Sequence, residues 1–120
     1  MSHPFTHVEI SANDRKEAAD FYAGVFGWEM KDYPDMNYTT FETDDGPGGG
    51  FNPVTDTNPA GKILVYIDTD DLEASMAAIE KHGGKILSPK FEIPTVGWMA
   101  TFSDPTGNVL ALLQPMEGSM

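Results

Sequence analysis

No cysteine occurs among the 120 residues. Disulfides, thiolate-held metal clusters and nucleophilic cysteine chemistry are therefore excluded. Any metal site would have to draw on histidine, carboxylate, backbone oxygen or water. Histidine is itself scarce, with only His3, His7 and His82. Positive charge is scarce too: seven lysines and arginines face 19 acidic residues, for a formal net charge of −12. Such a surface is poorly matched to the phosphates of nucleic acid or to an anionic membrane. It suits solubility, and an acidic cleft would concentrate a cationic ligand. No apolar run approaches the ~18 residues that span a bilayer. The opening "MSHPFTHVEI" lacks the basic-then-apolar order of a signal peptide, so the cytoplasm is the expected setting. The length suits one domain, here 1–120, with room for a real core.

What is present is organised as a repeat. "HVEIS" alternates, with Val8 and Ile10 on one face and His7, Glu9 and Ser11 on the other, which predicts a half-buried strand. "ANDRKEAADFYAGVFG" predicts a helix capped by Asn13 or Asp14 and ended by Gly27, with Ala18, Phe21, Tyr22 and Val25 at helical spacing. "WEMKDY" and "NYTTFET" read as strands with a turn at Pro34 and Asp35. The glycine-rich "DDGPGGGFNPV" lacks the lysine and following helix of a phosphate loop. After the polar, Pro- and Gly-punctuated "TDTNPAGK" the pattern restarts. "KILVYIDTDD" is a strand, and "DLEASMAAIEKHGG" a helix capped by Asp70 or Asp71 and ended by Gly83 and Gly84. "KILSPKFEI" is a strand running into a loop, and "GWMATFSDP" and "NVLALLQ" are strands around a tight Asp104–Gly107 turn. Both halves, about 5–56 and 61–115, thus read βαβββ. At an offset of 57 residues Asp14 falls on Asp71, Gly27 on Gly84 and His7 on Leu64, which predicts two copies of one supersecondary unit sharing a core.

Three segments in this order, "HVEISANDRKEAADFYAGVFGWEM", "ILVYIDTDDLEASMAAIEKHGGKI" and "WMATFSDPTGNVLALLQ", resemble the vicinal oxygen chelate superfamily, which includes glyoxalase I, bleomycin-resistance proteins and extradiol dioxygenases. The resemblance spans His7 to Gln114 and includes the "DPTGN" turn. It implies an α+β fold in which two βαβββ units form a curved, half-open barrel with the site on the concave face. It also implies a homodimer. Because the fold hosts isomerases, dioxygenases and drug binders alike, function has to be argued from the site.

Metal-using members of the family take one ligand from the first and one from the last strand of each half. Carried over position by position, that set becomes His7, then Gly49 or Gly50, then Leu64, then Ala111. Only His7 retains a ligand, so no cofactor is expected, although Glu9 beside it leaves weak divalent-metal binding open. The same strand could instead hold a histidine–carboxylate base, or a plain hydrogen-bonded pair. Alternation adds Tyr66 to a cup rimmed by Phe41, Phe51, Phe91 and Trp98, a largely apolar pocket with a few polar groups. The loop in "FEIPTVGWM" could cover its mouth. His82 ends a helix, where histidine commonly meets the last carbonyls. Metal-independent binding of a small neutral or cationic molecule is the leading expectation. The alternatives are a divalent-metal lyase, isomerase or dioxygenase of the glyoxalase type, and an interaction module without a ligand. Neither nucleic acid nor membrane is an expected partner.

Overall fold

The computed structural model describes residues 3–56 and 58–116. The chain divides into two compact units, Thr6–Leu64 and a second made of the N-terminal segment to Phe5 with the chain from Val65 onward.

The first unit contains β1 (Phe5–Ala12), α1 (Arg15–Phe26), β2 (Glu29–Tyr33), a 3-10 turn (Pro34–Met36), β3 (Tyr38–Glu42) and β4 (Gly48–Pro53). Strand order is β2-β3-β4-β1, with β1 parallel to β4 and the other neighbours antiparallel. Asp14 is extended at φ −142° and its carboxylate accepts from the backbone N–H groups of Lys16 and Glu17. Such an N-cap contributes about 1 kcal/mol. Gly27 stops the helix in the left-handed conformation, φ 74°, and returns its N–H to Ala23 O. The core joins Ala19, Phe41 and Phe51 to Val8, Ile10, Tyr22, Trp28 and Met30. Within it Trp28 stacks on Tyr22 and on Phe41 at centroid distances of 5.2 and 4.7 Å. The expected helical stripe is corrected here. Ala19 and Tyr22 face the core, whereas Phe21 and Val25 are 57% and 58% exposed. Trp28, stacked on Tyr22, contributes the bulk that the outer part of the stripe was expected to supply.

The glycine run in β4 is a packing device. A Cβ on Gly49 would lie 1.8 Å from Val8 O and 2.6 Å from the Phe41 ring, so only glycine lets β1, β4 and that ring close together.

The second unit takes up β5 (Ile63–Asp68) and continues through α2 (Leu72–Lys81), β6 (Lys85–Ile86), β7 (Phe91–Ile93), β8 (Gly97–Ser103) and β9 (Val109–Pro115). Its order is β5-β9-β8-β6, with β7 also paired to β8. Asp71 caps α2, accepting from Ala74 N, and His82 is the C-cap residue after Lys81. The core is Leu72, Ala100, Phe102 and Leu112, packed by Ile67, Met76, Ile79 and Trp98. The backbone N–H of Leu72 donates to Gln114 Oε1 at 2.7 Å, tying the first turn of α2 to β9. "KILSPKFEI" forms two short strands rather than one strand and a loop. Ser88 breaks the ladder by turning its hydroxyl to Thr101 N at 2.9 Å, and Pro89 has no N–H to continue it. The segment expected as a mouth-covering loop is the tight β7–β8 hairpin turn, with Val96 N bonded to Ile93 O. In the "DPTGN" turn, Asp104 Oδ1 accepts from the N–H groups of Thr106, Gly107 and Asn108, each at 2.9 Å. These bonds hold the Asp104 carboxyl below the usual range, the Asn108 side-chain contact contributing most.

Candidate functional site: a hydrogen-bonded chain on the sheet face opposite α1

Alternation along β1 sends Val8 and Ile10 into the core under α1 and His7 and Glu9 to the other face. The register brings two more polar residues there. Thr39 pairs with Phe51 and Phe41 with Gly49, on the helix side, so Tyr38 shares the opposite face with His7. Ser11 pairs with Asn52, which places Asn52 there as well. The four side chains form one chain of bonds. Tyr38 donates its hydroxyl to Glu9 Oε2 at 2.9 Å, Asn52 Nδ2 donates to Glu9 Oε1 at 2.5 Å, and His7 Nε2 lies 2.8 Å from the Tyr38 oxygen.

Proton counting sets the direction. Tyr38 has one hydroxyl proton and gives it to Glu9, so the Tyr38 oxygen accepts and His7 Nε2 carries the proton between them. Nδ1 is then the basic nitrogen of the neutral ring. Burial lowers the His7 pKa below its ordinary value of 6.5, opposed by the nearby Glu9 charge at 3.8 Å. The His7 and Glu9 side chains are 28% and 14% exposed, so they are partly desolvated yet reachable.

Gly50 makes this arrangement possible. A Cβ there would stand 2.0 Å from the Tyr38 hydroxyl. Gly50, not Gly49, faces the His7 side, because its β1 partner is Glu9. The space in which a fourth side chain could project beside His7 is filled by the Tyr38 phenol.

The residues present do not fit the family's metal square. The matched positions are Gly50, Leu64 and Ala111, and His7 Nε2 is engaged by Tyr38. Among the described residues no group of three or more His, Cys, Asp or Glu side chains could hold a metal ion.

Of the residues singled out in the sequence, His7 and Glu9 lie on one face of β1, bridged by the Tyr38 hydroxyl. Phe41 and Phe51 do not share their face: they are 3% and 0% exposed in the core under α1. A pleat places strand neighbours on opposite sides, and both fall in phase with Val8 and Ile10. In the second unit Tyr66 pairs with Ala111 and is 7% exposed. Phe91 pairs with Met99 and is 44% exposed. Trp98 packs instead into the core under α2, with the Lys90 ammonium 5.1 Å from its ring centroid. The sequence reading missed Tyr38 and Asn52. Each lies an odd number of residues from a core phenylalanine, Tyr38 three before Phe41 and Asn52 one after Phe51, and that parity is the signal that puts them on the opposite face.

A family model for the Glyoxalase/Bleomycin resistance protein/Dioxygenase superfamily matches residues 5–112. The chain belongs to this superfamily. Among glyoxalase-superfamily relatives, it is 34% identical to a glyoxylase-like domain-containing protein from Didymella fabae, covering 88% of each. It is 31% identical to the anthracycline biosynthesis protein DnrV of Streptomyces peucetius over 92% of this chain but 47% of DnrV, so it spans about half of that relative. Solved structures share the fold. A member from Vibrio splendidus superposes with a TM-score of 0.68 at 17% identity, covering 94% of this chain and 99% of that one. Methylmalonyl-CoA epimerase from Mycobacterium tuberculosis gives 0.73 at 14% identity, covering 93% and 87%. The α+β fold expected from the sequence is thereby shown.

Proposed function

We propose that this superfamily member binds a small neutral or cationic molecule on the His7 face without a resident metal. The observation that supports it most is the His7–Tyr38–Glu9–Asn52 chain, which supplies preset donors and acceptors and commits Nε2 to Tyr38. A hydrogen-bonding ligand can exchange partners with such a chain at little cost, whereas a cation would have to displace Tyr38 and would gain two protein ligands. The acidic surface favours positive over negative ligands. The likeness to a protein named for anthracycline biosynthesis supports a small-molecule partner. No helix among the described residues is long and apolar enough to cross a membrane, and a cytoplasmic setting suits a chain without cysteine.

The test is elemental analysis of untagged protein after dialysis against zinc, nickel, manganese and iron(II), followed by a thermal-shift ligand screen. No retained metal is expected, together with ligands whose stabilisation His7→Ala and Tyr38→Phe both remove. Near-stoichiometric metal that His7→Ala abolishes would overturn this reading in favour of a metal-dependent lyase, isomerase or dioxygenase.

We infer a homodimer as well. The outer edge of α1 exposes Phe21, Val25 and Phe26 at 57–59%, and clustered apolar groups of this kind are usually covered by a partner. A concentration-independent monomer in sedimentation would contradict it.

A further inference from the structure

Helix α1 carries a glycine that the rest of its own chain does not explain. Glycine is among the poorest helix formers. Elsewhere in this protein it serves where the backbone is left-handed or where a Cβ would touch a neighbour. Gly24 is, among the described residues, the one glycine with neither reason: its φ is not positive, and a Cβ built on it meets nothing within 4 Å. It is exposed, one turn from Phe21 and beside Val25. Those two side chains are 57% and 58% exposed, with Phe26 at 59% on the flank.

The pseudo-repeat shows that such a stripe is not demanded by the fold. At the 57-residue offset Phe21, Gly24 and Val25 fall on Ala78, Lys81 and His82, which form an ordinary solvated stretch at the end of α2.

We propose that α1 is the contact between two copies of this chain, and that it crosses the α1 of the other copy antiparallel, with Gly24 at the closest approach. This rests on the homodimer reading and gives it a geometry. A two-fold interface sets one patch against itself, so a single surface must carry both a projection and a recess. The α1 stripe has both, one turn apart: the Phe21 ring and the open Gly24 backbone. With the axis between them, each Phe21 seats on the Gly24 of the other copy.

Charge selects the antiparallel sense. The basic residues of α1 are Arg15 and Lys16, both in its first turn, with none in its last, and Glu29 follows its C-terminal end. Antiparallel crossing brings Lys16 of one copy toward Glu29 of the other, in the sense the helix dipoles favour, whereas a parallel crossing sets like against like. The Lys16 side chain is 82% exposed, and its pair with Asp20 is an i,i+4 surface contact, weak enough to be shared. No charged residue lies between Phe21 and Trp28, so the net charge of −12 stays outside the centre of the contact. Phe21, Val25 and Phe26 together present roughly 300 Å² of apolar side chain. That is a fitting centre for a standard interface of about 800 Å² a side, with Glu17, Asp20, Lys16 and Glu29 as its rim. Because α1 and His7 lie on opposite sides of the first unit's sheet, this contact leaves the His7 face of each copy uncovered.

The experiment is sedimentation velocity of the untagged full chain from about 5 to 500 μM, the Kd range of weak dimers. A monomer–dimer equilibrium is expected. Gly24→Leu fills the recess and is expected to raise Kd about tenfold or more. Its urea midpoint at the lowest concentration is expected to hold or rise, because leucine is the better helix former. Lys16→Glu and Glu29→Lys are each expected to weaken association severalfold, although Glu29→Lys lowers the net charge, and the double variant is expected to recover it. A dimer that Gly24→Leu leaves intact overturns the proposal, as do single charge reversals that the double variant does not rescue, and the homodimer reading survives both. A monomer at every concentration overturns the two together. If Gly24→Leu does not fold, Gly24→Ala is read in its place: a severalfold rise in Kd is expected, and an unchanged Kd overturns the proposal.

Discussion

Asp14 and Asp71 cap their helices in the same way, and the chain then diverges at the next residue. Leu72 enters the core of the second unit, fully buried, with its N–H fixed by Gln114. Arg15 stays at the surface of the first and ties α1 to Asp32 and Asn37. One unit fills its interior mainly with aliphatic side chains around Phe102 and Trp98, whereas the other uses a stack of aromatic rings, a glycine strand and a polar clasp. A repeated scaffold can thus keep its turns and caps and differ in what fills it. The functional candidates fall on the unit that is packed less completely by aliphatic side chains.

The strongest way to break this contrast is at β4. Gly49→Ala would force a Cβ to within 1.8 Å of Val8 O, a backbone atom that cannot step aside. Loss of more than about 4 kcal/mol is expected, seen as insoluble or unfolded protein. A variant of near-native stability would mean that the β1–β4 contact is looser than described. Next is Leu72→Ala in the second unit, expected to cost about 3 kcal/mol in urea unfolding. Arg15→Ala at the matching position should cost much less, because its partner Asp32 is half exposed. Equal losses would erase the difference between the two interiors.

Most of the fold was legible before any coordinates. Alternation in "HVEIS", the two aspartate caps, Gly27 and the "DPTGN" turn are local signals, and each acts over a few residues. The site was only half legible. His7 and Glu9 share one strand, so period two is enough to pair them. Tyr38 and Asn52 reach them through strand register, which depends on how β3 and β4 stack against α1. Phe41 and Phe51 were assigned to the wrong face for the same reason: aromatic content does not report phase, and the phase was set by Val8, Ile10 and the glycines.

Smaller effects sharpen the site itself. Tyr38→Phe keeps the ring over Gly50 and removes the hydroxyl, leaving both His7 and Glu9 short of a partner. A loss of about 1–2 kcal/mol is expected, together with a change in the His7 titration followed by NMR. An unchanged titration would show that the bond carries nothing.

The smallest effect is the pH response. Burial lowers the folded pKa of His7, so below about 6.5 the unfolded chain takes up a proton more readily than the folded one. The stability from keeping His7 neutral is full above that pH and declines as pH falls from there toward the lowered folded value. His7→Gln should therefore flatten the pH dependence of the urea midpoint between about pH 7.5 and 5. A profile identical to wild type would remove His7 as the titrating group.

The Asp104 turn also bears on the order in which the molecule assembles. Strands β8 and β9 are neighbours in sequence and antiparallel, joined by a turn whose three amides converge on one carboxylate oxygen. The β1–β4 pair of the first unit is parallel, and β1 must wait for a helix and two strands to be laid down before Gly48 can meet His7. Hairpins close in about 1–10 μs, whereas distant pairings bear the loop-closure entropy first. Refolding with pulsed hydrogen exchange should then protect the amides of β8 and β9 ahead of those of β1 and β4. The face that carries His7 would be among the last parts of the protein to exist.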